Sequence, residues 1–315
     1  MRTMILQRFG IGVLTLLVVS VLVFAGTEIL PGDVAEIVLG QAATPENLAK
    51  LRAELGLDKP AVVRYFEWLG DMITFDLGVS KAGGTGIGEL IGGRLYNTFF
   101  LGGIVAAIAV PLSVFLGLLA AMYPGTWLDR AVTFGTLSLI SVPEFFIATL
   151  CVLVLSVQLH WLPAVAYMSG DETFFQLMRA LLLPIVVLVI VISAQMIRMT
   201  RAGILNVLHS PYIEMAILKG VPRARIILRH ALFNAIGPIV NVIALNLAYL
   251  VSGVVIIETI FAYPGLAKLM VDGVQTRDLP LVQACAMIFC GTYVALILTA
   301  DIASILSNPR LRQPK

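Results

Sequence analysis

FGIGVLTLLVVSVLVFAGT, residues 9–27, carries no charged side chain. A spanning helix needs about 17–25 mostly apolar residues, and this stretch meets that length. Further gaps in the charge pattern run over 95–128, 131–170 (broken only by Glu144), 180–197, 230–257 and 279–300. Each is long enough for one span. Backbone groups in hydrocarbon must be satisfied within their own segment, so the spans are helices and not strands. The expectation is six helices, over 9–30, 97–122, 131–157, 180–200, 236–259 and 282–306. Composition agrees, since 59% of the 315 residues are hydrophobic and 13% charged. The mean hydropathy is +0.97. A soluble domain carries about 25% charged residues, so a single water-soluble core is excluded. The fold class is all-α and polytopic, with the bilayer as solvent.

The charges set an orientation. With six spans and the N-terminus inside, one face collects Arg2, Arg8, Arg130, Arg198, Arg201, Lys219, Arg223, Arg225, Arg229, Arg310, Arg312 and Lys315. Its acids outside the membrane are Asp129 and Glu214. Short loops rich in Lys and Arg stay in the cytoplasm, which places both termini there. Arg2 and Arg8 resemble the basic start of a signal peptide. The apolar run after them exceeds the usual 7–15 residues of such a peptide, and a retained helix is expected. Cys151, Cys285 and Cys290 all fall in spans and read as small apolar packing residues.

The domain reading is linear. Residues 1–30 are the cytoplasmic N-terminus and first span, 31–94 a small helical domain on the outer face, 95–306 the core and 307–315 a cytoplasmic tail. Within 31–94, Thr44 before Pro45 starts a short helix, and a second passes through Tyr65 and Trp68. The glycines at 83, 84, 86 and 88 follow no strand and precede no Lys-Ser/Thr pair, so they form no phosphate-binding loop. The Tyr123-Pro124-Gly125 turn joins spans two and three on the inside. Pro111, Pro143, Pro184 and Pro238 are candidate kinks.

The inner loop over 201–235 is too long for a connector. Ser210 can cap a helix whose first turn holds Pro211. Glu214 lies near its positive end and Lys219 near its negative end. Gly220 can take the left-handed conformation that closes it, and Pro222 forbids continuation. A helix over 211–219 is expected. Tyr212, Met215, Ala216 and Lys219 share one side of it, and Ala216 and Gly220 permit close approach by another protein. Two readings stand: a knob for a partner's cleft, or a helix packed on its own bundle.

Glu214-Met215-Ala216, three residues and Gly220 resemble the EAA loop of bacterial ABC import permeases, whose pattern is Glu-Ala-Ala, three residues, Gly. Met215 departs from it. The usual later Ile-x-Leu-Pro is replaced by His230-Ala231-Leu232-Phe233-Asn234, a form similar to the dipeptide/oligopeptide branch. Leu30-Pro31-Gly32-Asp33, Leu55-Gly56-Leu57-Asp58-Lys59-Pro60, Arg64-Tyr65-Phe66-Glu67-Trp68-Leu69 and Asp76-Leu77-Gly78-Val79-Ser80 resemble that branch too. So do Ser141-Val142-Pro143-Glu144-Phe145, Trp161-Leu162-Pro163, the run from Glu258 to Leu266, Arg277-Asp278-Leu279-Pro280 and the ending Asn308-Pro309-Arg310-Leu311-Arg312. The large outer segment after span one resembles the "B" permease of such systems.

The resemblance implies a type I ABC importer permease fold in the bacterial inner membrane. It implies a homologous second permease, two ABC ATPase subunits that bind ATP and Mg, and a periplasmic or lipid-anchored binding protein. The cargo it implies is di- or oligopeptides, or a nickel chelate, opine or glutathione. This chain would be no enzyme and would bind no cofactor or nucleic acid. Tyr212, Glu214, Met215, Ala216, Lys219 and Gly220 would couple to the ATPase. Glu144, Glu258 and Asp301 lie in or beside spans, where a mid-bilayer carboxylate costs about 2.5–3.5 kcal/mol. Either they line the translocation path, or Glu258 and Asp301 sit near span ends, close to water. His160, His209 and His230 have no clustered partners, and no metal site is expected. A secondary transporter would show repeated halves with paired broken helices. An intramembrane enzyme would need a catalytic constellation in its spans.

Overall fold

Helix α1, Arg2–Ile29, contains the opening charge-free stretch. The structure, a computed structural model, describes residues 2–29, 43–54, 58–166, 168, 172–222 and 225–307. The quoted segments 30–33, 55–57 and 308–312, and Arg223, lie outside them. After α1 come α2 (Pro45–Glu54), α3 (Ala61–Ile73), α4 (Ile87–Met122), α5 (Trp127–Ile140), α6 (Glu144–Cys151) and α7 (Phe174–Leu208). The series ends with α8 (Pro211–Leu218), α9 (Leu232–Ile260), α10 (Leu266–Gln275) and α11 (Leu279–Ser307). Wider π-helical turns continue α6 over Val152–Gln158 and precede α9 over Ile226–Ala231. Among the described residues, five helices are long and apolar enough to cross a bilayer, and six spans result if the bent pair α5–α6 counts as one.

That pair corrects one expectation. A single helix over 131–157 was the reading from sequence, but α5 and α6 meet at 100°. Pro143 lacks an N–H and drives the residue before it away from helical angles, so the chain breaks at Ser141-Val142-Pro143. Pro111, Pro184 and Pro238 lie inside helices instead. Helix ends also moved outward. Span four was expected over 180–200, yet α7 starts at Phe174 because Thr173 and Gln176 form a reciprocal capping box. Thr44 caps α2 as expected, accepting from the Asn47 N–H at 3.3 Å.

The chain forms two compact units. The first comprises Met1–Gly10, Phe99–Tyr263 and Ala295–Lys315. Its centre is α7, which packs most extensively against α9. Leu181, Leu183, Val187, Leu188, Ile192 and Met196 are buried there with Leu101, Val105, Leu250, Val254 and Ile257. Between lipid-exposed helices, small residues let backbones approach closely. Gly117 of α4 is such a point, since a Cβ there would lie 2.8 Å from Thr200 Cβ and 3.0 Å from the Ile197 carbonyl oxygen. At the turn between α4 and α5, Gly125 takes φ +77° and donates its N–H to Asp129 Oδ2 at 2.9 Å. Arg201 of α7 grips the same carboxylate with both prongs, Nε to Oδ1 at 2.6 Å and Nη2 to Oδ2 at 2.9 Å. Asp129 is buried and Arg201 half-buried, so solvent screens the pair from one side.

The second unit comprises Ile11–Thr98 and Pro264–Val294. Ile87 and Ile91 of α4, Leu266 and Leu269 of α10, and Leu281, Ala284 and Cys285 of α11 form its core. Asp278 is 1% exposed. It accepts from the Ser80 hydroxyl, the Lys81 N–H at 3.2 Å and, at the start of α11, the Leu281 N–H at 3.5 Å. Thr98 Oγ1 accepts from the Leu266 N–H at 2.8 Å. Gln283 donates to Thr27 at 2.6 Å.

Gly117→Ala is expected to destabilise by about 1–3 kcal/mol, because the added methyl overlaps Thr200. The midpoint of thermal unfolding in detergent should fall. Gly103→Ala, with nothing within 4 Å of its Cβ position, should leave the midpoint unchanged or raise it.

Candidate functional site

Helix α8 is built to stand out from its surroundings. Pro211 occupies the first turn after Ser210, which is extended at φ −82° and ψ 147°. The Ser210 hydroxyl makes no cap, contrary to expectation; it donates back to the Val207 carbonyl at 2.5 Å. That bond competes with capping, a known habit of serine at helix ends. The helix stops at Leu218, with Lys219 as its C-cap. Gly220 then takes φ +71°. Its N–H bonds the Ile217 carbonyl at 2.9 Å, and the Val221 N–H bonds Ala216 at 3.1 Å. These paired bonds are the Schellman closure, which uses glycine's freedom in the left-handed region.

The two faces of α8 differ from the sequence reading in one respect. Ala216 was expected on the outward side with Tyr212, Met215 and Lys219. It instead packs with Ile213, Ile226, Ala231 and Val221. Ile213 is 1% exposed, and Ala216, one turn on, shares its stripe. Outward go Tyr212, Met215, Ile217 and Leu218, the last 80% exposed. Glu214, Lys219 and Gly220 are exposed as well. Ile217 and Leu218 were missed, although two adjacent aliphatics on a helix outside the spans were the available signal. Arg225 and Arg229 are exposed nearby.

The second feature is a cavity of about 590 Å³ at the α5–α6 break. Ser141, Glu144, Gln195, Asn246 and Tyr249 supply its polar lining, with Met199 and Ile192 among the apolar groups. Glu144 stands in the first turn of α6. Gly253 of α9 makes room for it, since a Cβ there would come 3.3 Å from Glu144 Oε2. The other two acids go elsewhere. Glu258 is fully buried and does not line the cavity; its carbonyl accepts from the Tyr263 N–H at 2.9 Å. Asp301 pairs with Arg8 at 3.0 Å. The structure therefore does not gather the three carboxylates into one site. Among the described residues, no group of three His, Cys, Asp or Glu side chains could hold a metal ion.

Comparison with known proteins adds two family matches. Residues 113–313 match the model for the binding-protein-dependent transport system inner membrane component. Residues 1–84 match the N-terminal model of the corresponding membrane component. A peptide transport system permease protein of Brucella abortus is 36% identical over 99% of both chains. A peptide ABC transporter permease protein of Sinorhizobium fredii is 34% identical over 99% of this chain and 100% of its own length. A glutathione transport system permease protein of Pectobacterium atrosepticum is 34% identical over 95% of both.

Ile213→Ala should cost about 2–4 kcal/mol of local anchoring. Limited proteolysis of membrane vesicles should then cut around α8 much faster than in the parent. Leu218→Ala, which removes an exposed side chain, should leave the cutting rate unchanged.

Proposed function

The chain belongs to the family of binding-protein-dependent transport system inner membrane components, and from that premise we propose that it imports di- or oligopeptides as one of two permeases driven by separate ABC ATPases. The observation that carries the coupling half of this reading is α8. An isolated helix of eight residues is marginal. This one is anchored by Ile213 on one side and leaves Met215, Ile217 and Leu218 uncovered on the other. An apolar knob outside the spans fits a groove on a partner, and the ATPase subunits are that partner. ATP and Mg bind on those subunits. Glu214 and Lys219 supply polar contacts at the knob's two ends, and Gly220 holds its closing turn.

The basic residues of the α7–α9 connection support a cytoplasmic α8, and with it an outer location for the region 31–94. That region and its neighbours form a cavity of about 400 Å³ lined by Glu28, Lys59, Arg64, Glu67, Asp71 and Lys81. Mixed charge of this kind suits a binding protein that docks and leaves. Full-length relatives named for peptide transport support a peptide cargo; the glutathione relative keeps a second cargo in view. Glu144 lines the cavity at the α5–α6 break, which supports it as the carboxylate that meets a solute's ammonium group.

Affinity purification from gently solubilised membranes tests the assembly. Two P-loop ATPases, or one in two copies, should co-purify with a second six-helix permease. A chain that comes out alone, and transports in proteoliposomes without ATP, would replace this reading with a secondary transporter. Leu218→Asp should lose the ATPases from the preparation while keeping the second permease. Gly220→Asp should abolish uptake with the protein still in the membrane. Glu144→Gln should lower uptake about tenfold, the loss of one charge-assisted contact, without changing which subunits co-purify.

A further inference from the structure

Helix α3 carries two apolar stripes, and among the described residues only one of them packs against a neighbouring helix. Tyr65 and Trp68 turn toward α1. The Tyr65 hydroxyl meets Ser20 Oγ at 2.8 Å, and both rings pack on Phe24 with centroids 5.5 and 5.8 Å away. Arg64 forks onto Glu28 at the end of α1, both bonds at 2.7 Å. A second stripe of Val62, Phe66 and Ile73 follows the same helical spacing. Those side chains are 66%, 64% and 68% exposed. Phe75, just beyond the helix, is 87% exposed. The charged side chains Arg64, Glu67 and Asp71 keep to the remaining arc.

The contacts with α1 fix how deep α3 sits. Residues 9–27 of α1 are free of charge, and Glu28 marks the end of that stretch. Ser20 precedes Glu28 by about 12 Å of helix. Tyr65 reaches Ser20, while Arg64 beside it stays at Glu28. Helix α3 thus lies at the level where the apolar stretch of α1 gives way to charge. Helices lying in the membrane interface bury their apolar faces by roughly 5–10 Å. On α1 itself, Val18, Val21 and Leu22 are likewise 53%, 49% and 65% exposed.

We propose that α3 lies in the bilayer interface, with Val62, Phe66 and Ile73 inserted among the lipid acyl chains. The helix then acts as a float beside α1, fixing the height of the segment that joins α1 to α4. The Glu28–Arg64 pair sits at the headgroup level. This rests on α1 being a span, but not on the cargo or the ATPases.

Spin-label accessibility in nanodiscs tests it on the chain together with its co-purifying subunits. Cys151, Cys285 and Cys290, all free, are first replaced by alanine, and single cysteines at 62, 66 or 67 are labelled. Position 22 in α1 serves as the control. The ratio of oxygen to nickel-chelate accessibility should be several-fold higher at 62 and 66 than at 67, and close to that at 22. Nickel-dominated accessibility at 66 would place the stripe in water. Exclusion of both reagents would place it under another protein chain. Either result overturns the proposal while position 22 still reads lipid. If 22 reads water as well, the span reading of α1 is what fails.

Discussion

In hydrocarbon a peptide N–H or carbonyl finds no water, so each span must close its own hydrogen bonds. The long helices α1, α4, α7, α9 and α11 meet that demand along most of their length and stay helical through Pro111, Pro184 and Pro238, although each of these prolines removes one ladder bond. The departure is at Ser141-Val142-Pro143. Irregular backbone at such a depth is tolerated where protein or a water-accessible cavity surrounds it, and a cavity is what the break lines. The same turn delivers Glu144, and Gly253 on the facing helix leaves it the space. Proline, glutamate and glycine make one feature together: a break, a charge and the room for both.

Helix α8 shows a division of labour within eight residues. Ile213 and Ala216 attach it to the chain, and Met215, Ile217 and Leu218 are left over. A soluble domain would hide such aliphatics. Their exposure, next to the Schellman closure at Gly220, is the feature on which the proposed docking role rests. The family relationship gives that distinction a use, since a transport component needs a place where its energy source attaches.

Much of this was legible from charge spacing. Gaps between charged residues located the five long apolar helices and the bent α5–α6 pair, because a charge in hydrocarbon is costly enough to dominate the pattern. Helix ends were less legible. Those of α4 and α7 depend on local caps and on packing outside the apolar stretch, as at Thr173 and Gln176. The α5–α6 bend was marked by Pro143, but the same residue type passes without a break at Pro184, and only tertiary packing separates the two cases. Ala216 was placed on the wrong face because helical spacing groups residues without saying which group meets the core. Ile213 decides that. The cavity joins residues more than a hundred positions apart, such as Glu144 and Tyr249, which no local pattern connects.

The clamp at Asp129 bears on how α8 could do work. Arg201 lies less than two turns before the end of α7, and α8 begins three residues after that end. Helix α8 is thus joined to α7 through the chain at His209 and Ser210, and it packs on the turns before α9 through Ile213. Because Arg201 holds Asp129 by both oxygens, and Asp129 holds the Gly125 turn, the α4–α5 hairpin is yoked to α7. The end of α7 and the turn between α4 and α5 are thereby tied at a single carboxylate, two elbows of the bundle sharing one knot.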